Sequence, residues 1–461
     1  MSTAPARDLE VTDPGTHVPP RVPWIGLGVA AVILAASAFV PTIFGWQVYS
    51  RAHPSDYVGS INPLHSLWDP RVGIGTIPAL VIAALGWRYA ADVCARLSWR
   101  HLLLAAYAAS LAWMLSLALV DGGDGVTAPL QHSYEYLQTA RGITDVPQFL
   151  SEFTSRIPID AENNWTTHVA GHPPGATLFF IVLARLGLGS GLAAALIVCA
   201  IGASIAPAVL VTLRTLGVED VARRVAPFLV LTPAAIWLAV SADGMFAATA
   251  AWGMAALAMA ATATTRGRLV GFGVVAGLVL GWCVMLSYGL PALGILALAI
   301  LVAARSWKPL ALAVPDALAV VLAFAALGFR WWSAFPVLKD RYWAGTASSR
   351  PGLYWTWGDL GSFLFSGGPL LGAGVAVLVW LVARRRFEQR TVLLLAGAGV
   401  AMVLFADVSQ LSRAEVERIW LPFAPWVTLS VALLPERWRR PGLGLQIVTA
   451  LLLQHLCFHS W

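Results

Sequence analysis

Charge is what this sequence has least of. Asp, Glu, Lys and Arg make up 12% of its 461 residues, about half the share of a soluble domain, so a water-soluble globular fold is excluded. The excess of basic residues, +6, is small and lies in short clusters between apolar runs, which is not the continuous basic surface that nucleic-acid binding needs. There are four cysteines, Cys94, Cys199, Cys283 and Cys457. Each sits inside an apolar run without metal-ligand spacing, so they read as small core hydrophobes. No Gly-rich phosphate loop and no short-period repeat is present, which argues against a nucleotide-driven pump and a solenoid.

What is there instead is apolar sequence. Hydrophobic residues reach 58% and the mean hydropathy is +0.72. With about 20 apolar residues per crossing, the expected architecture is all-α, a polytopic transmembrane helical bundle of about 13 spans. They are placed at 24–43, 74–91, 102–120, 191–213, 225–241, 245–264, 269–286, 290–304, 310–329, 362–382, 391–408, 419–434 and 443–458. Residues 1–22, rich in Pro, Thr and Asp, are expected to form a disordered cytoplasmic tail ahead of a single transmembrane domain, 23–461.

Placing the N-terminus inside puts 19 of the 30 basic residues into short cytoplasmic loops, as the positive-inside rule requires. Segment 173–189 has too short an apolar core to cross. Counting it as a span would put Arg223, Arg224 and Arg384 to Arg386 outside, so it is expected to be an interfacial or re-entrant helix, begun by Pro173 and Pro174 and stopped by Gly-Leu-Gly-Ser. The large polar segments then lie outside: loop 121–172, loop 330–361, segment 409–418 and a smaller one at 44–71.

Five stretches carry candidate chemistry. Asp121-Gly-Gly-Asp124-Gly follows the third span, and carboxylates at a membrane edge need hydration, a partner or a function. Either acid can take a proton from a hydroxyl or hold a divalent cation such as Mg or Mn; the plain alternative is a Gly-rich turn. His172 precedes Pro173-Pro174, where it can donate to a phosphate or sugar oxygen or merely organise the turn. The prolines argue against a helix joining His168 to His172. Asp243, in Ser-Ala-Asp-Gly between two spans, reads as a binding acid or a solvated turn former.

Arg413-Ala-Glu-Val-Glu417-Arg418-Ile-Trp-Leu-Pro enters a span from outside, where basic residues are unexpected. Its arginines suit a lipid phosphate, or pair with Glu415 and Glu417 to strap the loop. In loop 330–361, Lys339 and Arg341 stand among Tyr342, Trp343, Tyr354, Trp355 and Trp357. These aromatics suit an interfacial belt or a sugar-stacking face.

In this order the motifs resemble the GT-C superfamily of polytopic membrane glycosyltransferases, which use polyprenyl-phosphate-linked sugars. The likeness covers most of the chain in layout: Asp121 and Asp124 opening a large outer loop, His172–Pro174 before a juxtamembrane helix, Asp243 at a hairpin tip, and Glu417–Pro422 late in the chain. The chain departs in opening that loop after its third span, where family members commonly open it after the first.

The resemblance implies that Asp121 or Asp124 deprotonates an acceptor hydroxyl that attacks the anomeric carbon with inversion. His172, Asp243, Lys339, Arg341, Arg413, Glu417 and Arg418 then bind substrate. The implied partners are the lipid-linked donor, the bilayer and a cell-envelope glycan, lipid or protein acceptor, at the outer face of the plasma membrane. A lipid or glycolipid flippase and a non-catalytic scaffold are the competing readings; the scarcity of charge inside the spans and the polar outer loops favour the enzyme.

Overall fold

The computed structural model describes residues 18–51 and 59–459. Most of the expected tail 1–22, and part of segment 44–71, fall outside the described residues. The rest is all-helical apart from two three-residue strands, Ser66–Trp68 and Cys457–His459, paired antiparallel with Leu67 opposite Phe458.

Among the described residues, seven helices are long and apolar enough to cross a membrane: Arg21–Phe44, Thr76–Arg96, Trp99–Asp121, Gly191–Thr215, Ala242–Ala261, Arg266–Leu286 and Arg390–Ser409. Two bent pairs raise the count to nine. They are Leu310–Ala326 with Trp331–Ala344, at 74°, and Gly352–Gly367 with Leu370–Ala383, at 109°. The make-up is compatible with a multi-pass membrane protein. It falls short of the 13 expected spans, and the reason is local.

Apolar run length does not register helix breaks. Thr232-Pro233 ends the helix Glu219–Val230, so 225–241 is not one rod. Pro422 and Pro425 divide 419–434 into Val416–Ile419, Ala424–Thr428 and a 3-10 turn, because proline removes a donor and clashes with the preceding turn. Leu290–Ala304 is a shorter apolar helix. Arg439–Leu456, which contains the thirteenth expected span, carries Gln446, Gln454 and His455, which dilute its apolar face.

The 109° corner shows how such a break is accommodated. Gly368 takes a left-handed φ of 86° ahead of Pro369. The side chain of Gln446, with 0% exposure, donates to the Gly367 carbonyl at 2.7 Å and accepts from the Leu370 amide at 3.3 Å. A distant helix thereby satisfies the backbone groups the corner leaves open.

Segment 173–189 forms a 12-residue helix, Pro174–Arg185, with proline at its start. At roughly 18 Å it is shorter than a bilayer core. Gly187 turns left-handed at 75°, and the Leu188 amide returns to the Leu183 carbonyl, which closes the helix end. A Cβ on Gly175 would lie 2.4 Å from the Met285 carbonyl oxygen, so only glycine lets this helix sit against Arg266–Leu286. The two polar loops are not open chain. Loop 121–172 contains Asp124–Thr127, Tyr136–Gly142, Val146–Glu152 and Thr167–Gly171, and Trp331–Ala344 fills much of 330–361.

Basic loops gather at one end. Arg223 donates to the Cys94 and Leu97 carbonyls, Arg439 to Ala91 and Arg390 to Val302, while the rings of Trp24 and Trp438 meet at 4.6 Å.

Candidate functional site

Arg418 stands on the four-residue helix Val416–Ile419, after Ala414 and Glu415 at left-handed φ values of 67° and 63°. Two strained residues persist only where neighbours hold them, and here the neighbours come from across the chain. The Asp359 carboxylate accepts from the Ala414 amide at 2.9 Å. Arg350 donates to the Arg413 carbonyl and pairs with Glu415 at 3.0 Å. Glu417, with 0% exposure, accepts from the His65 amide and from the Ser362 hydroxyl.

That strap aims the Arg418 guanidinium, which is 4% exposed, into a buried cluster. It meets Asp243 Oδ2 at 3.3 Å, Glu135 Oε1 at 3.4 Å and His168 Nε2 at 3.1 Å. His168 Nδ1 reaches the same Glu135 oxygen at 2.8 Å. A guanidinium only donates, so His168 Nε2 accepts and the ring proton sits on Nδ1, facing Glu135. Arg418 thus stands between two acidic side chains, with the His168 ring bridging it to Glu135.

A second layer backs this one. Tyr136 Oη lies 2.8 Å from His172 Nδ1, and the same nitrogen reaches the His168 carbonyl at 3.0 Å. A carbonyl only accepts, so His172 carries its proton on Nδ1. Tyr136 stacks on Phe180, and Phe246 packs against His172.

Protonation follows from burial and charge. Burial pushes the Glu135 carboxyl up, but His168 and Arg418 outweigh it and bring the group down to about 2. Glu415 is likewise pushed up by burial and drawn to about 2 by Arg350, His65 and Arg418. Burial lowers His172 to about 3, in the same sense as the nearby Arg418, and raises the Tyr136 phenol well above its usual range. At neutral pH, Glu135 is a carboxylate, His172 a neutral imidazole and Tyr136 a phenol.

Of the residues singled out from sequence, Asp243 and Arg418 pair directly. His172 stands one side chain away, and Glu417 holds the strap. The solvated-turn alternative for Asp243 does not hold: it is 5% exposed and lies in the first turn of Ala242–Ala261, capped by Ser241. Arg413 binds Gln410 and the Arg350 carbonyl and lies over Trp343. Arg341 donates to the Ile157 and Trp165 carbonyls. Both fasten backbone.

Lys339 is exposed, as is Asp124. Asp121 is engaged elsewhere: it pairs with Arg71 and accepts from Gln454 at 3.1 Å, and Arg71 also donates to the Cys457 carbonyl at 2.9 Å. Asp121 therefore belongs to a clasp joining the end of the third helix to the two-stranded sheet.

Glu135 and His168 are the site residues the sequence reading missed. Glu135 stands between two tyrosines in a polar stretch, where an acid carries no signal. His168 was set aside because the prolines were expected to interrupt any helix. The helix Thr167–Gly171 in fact ends just before them, so His168 and His172 stand one turn apart and share a hydrogen bond. Among the described residues, no group of three or more His, Cys, Asp or Glu side chains is placed to hold a metal ion.

A narrow apolar crevice of about 30 Å³ is lined by Met114, Gly202, Leu238, Leu421 and Thr428 among others, none of them a member of the charged cluster. Leu421 lies three residues after Arg418, beyond the end of that short helix, and its amide donates to the Arg418 carbonyl at 3.1 Å. Neither a family model nor a curated protein matches the chain.

Proposed function

We propose that the chain is a membrane glycosyltransferase that moves a sugar from a polyprenyl-phosphate donor to an extracytoplasmic acceptor. The acceptor is a cell-envelope glycan, lipid or protein, and the anomeric centre is inverted. The observation that carries the reading is Arg418, buried between Asp243 and Glu135 with His168 beside them. We take the end where the basic loops gather as cytoplasmic, with the N-terminus on that side, in a multi-pass protein of the plasma membrane whose site faces outward.

In this reading the donor phosphate takes the place of one carboxylate on Arg418, since a guanidinium binds either anion. The displaced carboxylate becomes the base. We assign that role to Glu135, backed by His168, in place of Asp121 and Asp124, because Asp121 is committed to Arg71 and Asp124 is exposed. The acceptor oxygen forms its bond to the anomeric carbon and loses its proton to the carboxylate. The bond from that carbon to the phosphate oxygen breaks, and its electron pair leaves on the phosphate, where Arg418 offsets the developing charge. A divalent cation, Mg or Mn, finds no ready ligand set among the described residues, and no step runs through one.

The test is an assay of the purified chain in nanodiscs with a panel of polyprenyl-phosphate sugars, with and without EDTA. The expected outcome is sugar transfer with at least one donor, lost in Glu135→Gln. No transfer with any donor, at full folding, overturns the enzyme reading.

The two bent helix pairs, at 74° and 109°, favour one rival, a lipid or glycolipid flippase, because broken helices recur in transporters. Proteoliposomes carrying a fluorescent lipid-linked sugar separate the two. Movement between leaflets without chemistry supports the flippase.

A further inference from the structure

The opposite, basic end carries a second feature that sugar transfer does not use. A crevice opens between the helices Glu219–Val230 and Arg439–Leu456, with Arg224 and Arg439 on its walls and Phe228, Leu434 and Trp438 below them. Arg224 keeps one guanidinium nitrogen on the Ala432 carbonyl at 3.3 Å. Arg439 Nε is buried without a hydrogen-bond partner, while its Nη1 pairs with Glu436 at 2.9 Å. The Glu436 side chain is 53% exposed, so it can turn to solvent and release that nitrogen.

Aromatic rings border the same face. Arg440 lies over Trp87 at 4.2 Å, and Trp438 packs against Trp24, which is itself 63% exposed. Arginines from separate segments above an apolar floor, with tryptophans at the edge, match a lipid headgroup and the start of its acyl chains. Basic crevices between membrane helices recognise anionic headgroups in this way.

We infer that this crevice is a binding site for an anionic phospholipid, its phosphate held by Arg224 and Arg439 after Glu436 turns away. The site is separate from the Arg418 cluster and does not rest on the enzyme reading.

The experiment uses the full chain, delipidated and reconstituted in phosphatidylcholine nanodiscs, with phosphatidylglycerol added as the probe and retention read by native mass spectrometry. Each arginine is expected to contribute about a fivefold gain in affinity, the equivalent of ~1 kcal/mol per basic residue at an anionic surface. Arg224→Gln with Arg439→Gln should therefore lower retention by well over tenfold. Glu436→Gln should raise it, because the competing anion is gone.

Arg266→Gln, a basic-end control on another helix, should leave retention unchanged. Wild-type retention in the double variant, or an equal loss in Arg266→Gln, overturns the site in favour of a general surface potential. Soluble glycerol phosphate competing as well as the lipid overturns the lipid assignment. If the double variant does not fold, Glu436→Gln decides alone, and unchanged retention there overturns the proposal.

Discussion

Asp121 and Asp243 look alike as text. Each is an aspartate near a glycine, at the end of an apolar run, where an acid is costly unless something receives it. The fold treats them differently. Asp243 meets Arg418 in a cluster with Glu135 and His168, all buried. Asp121 meets Arg71 in a less deeply buried clasp, with the two side chains 18% and 15% exposed, that also binds Gln454. The spacing of the acids does not distinguish them. What does is the cation each one finds and how much water that cation keeps.

The largest expected effect is at Arg418. Arg418→Ala leaves Asp243 and Glu135 as buried charges without their shared partner, a change that costs about 3–5 kcal/mol. Thermal unfolding in detergent should show a large drop, and sugar transfer should vanish. Arg418→Lys should recover much of the stability but little of the transfer, because an ammonium lacks the planar fork that reaches two acids and a phosphate. Full transfer in the lysine variant would move the phosphate site elsewhere.

Glu135→Gln and Asp121→Asn sharpen the contrast. The first should lower transfer by about 100-fold or more, the scale of a lost general base, with modest loss of stability. Asp121→Asn should do the reverse: about 1–3 kcal/mol of stability from an unpartnered arginine, with transfer within a few-fold of wild type. If Asp121→Asn abolishes transfer at an unchanged unfolding temperature, the roles assigned to the two regions are exchanged.

Acid separates the regions again. In the unfolded chain His172 takes a proton near 6.5, but burial holds it at about 3 in the fold. Stability should therefore fall as pH drops from about 6.5 toward 3, the unfolded state binding the extra proton. Glu135, brought down to about 2 from 4.5, extends the loss from about pH 4.5 toward 2. Unfolding temperatures measured across this range in wild type and His172→Asn check it, and the variant should be flatter between pH 6 and 4. The smallest effects belong to the exposed candidates. Asp124→Asn and Lys339→Ala should each stay within about 0.5 kcal/mol and leave transfer unchanged.

Much of the fold was legible from sequence because burying backbone in lipid leaves few solutions. The helix at 174–185, its proline start and its glycine stop follow from local chemistry. So do seven of the expected spans, each close to a helix of the right length. The expected spans without a matching long helix lie where proline or a polar stripe interrupts a run of the right hydropathy, as in 225–241 and 419–434. Asp243 and Arg418 stood out because each is a charge where the bilayer edge discourages one. Glu135 and His168 did not, because polar residues in a polar loop carry no such cost until the loop folds back and buries them.

By itself, then, the sequence determined an all-helical, membrane-compatible chain with its charge sorted between short basic loops and longer polar segments. Composition and run length suffice for that, since both are properties of neighbouring residues. Only the tertiary structure decided which acid meets which arginine. Arg418 lies far along the chain from Glu135, His168 and Asp243, and an ion pair depends on distance in space. The strap of Glu417, Glu415, Arg350 and Asp359 that brings Arg418 there has no signature in any local stretch of sequence.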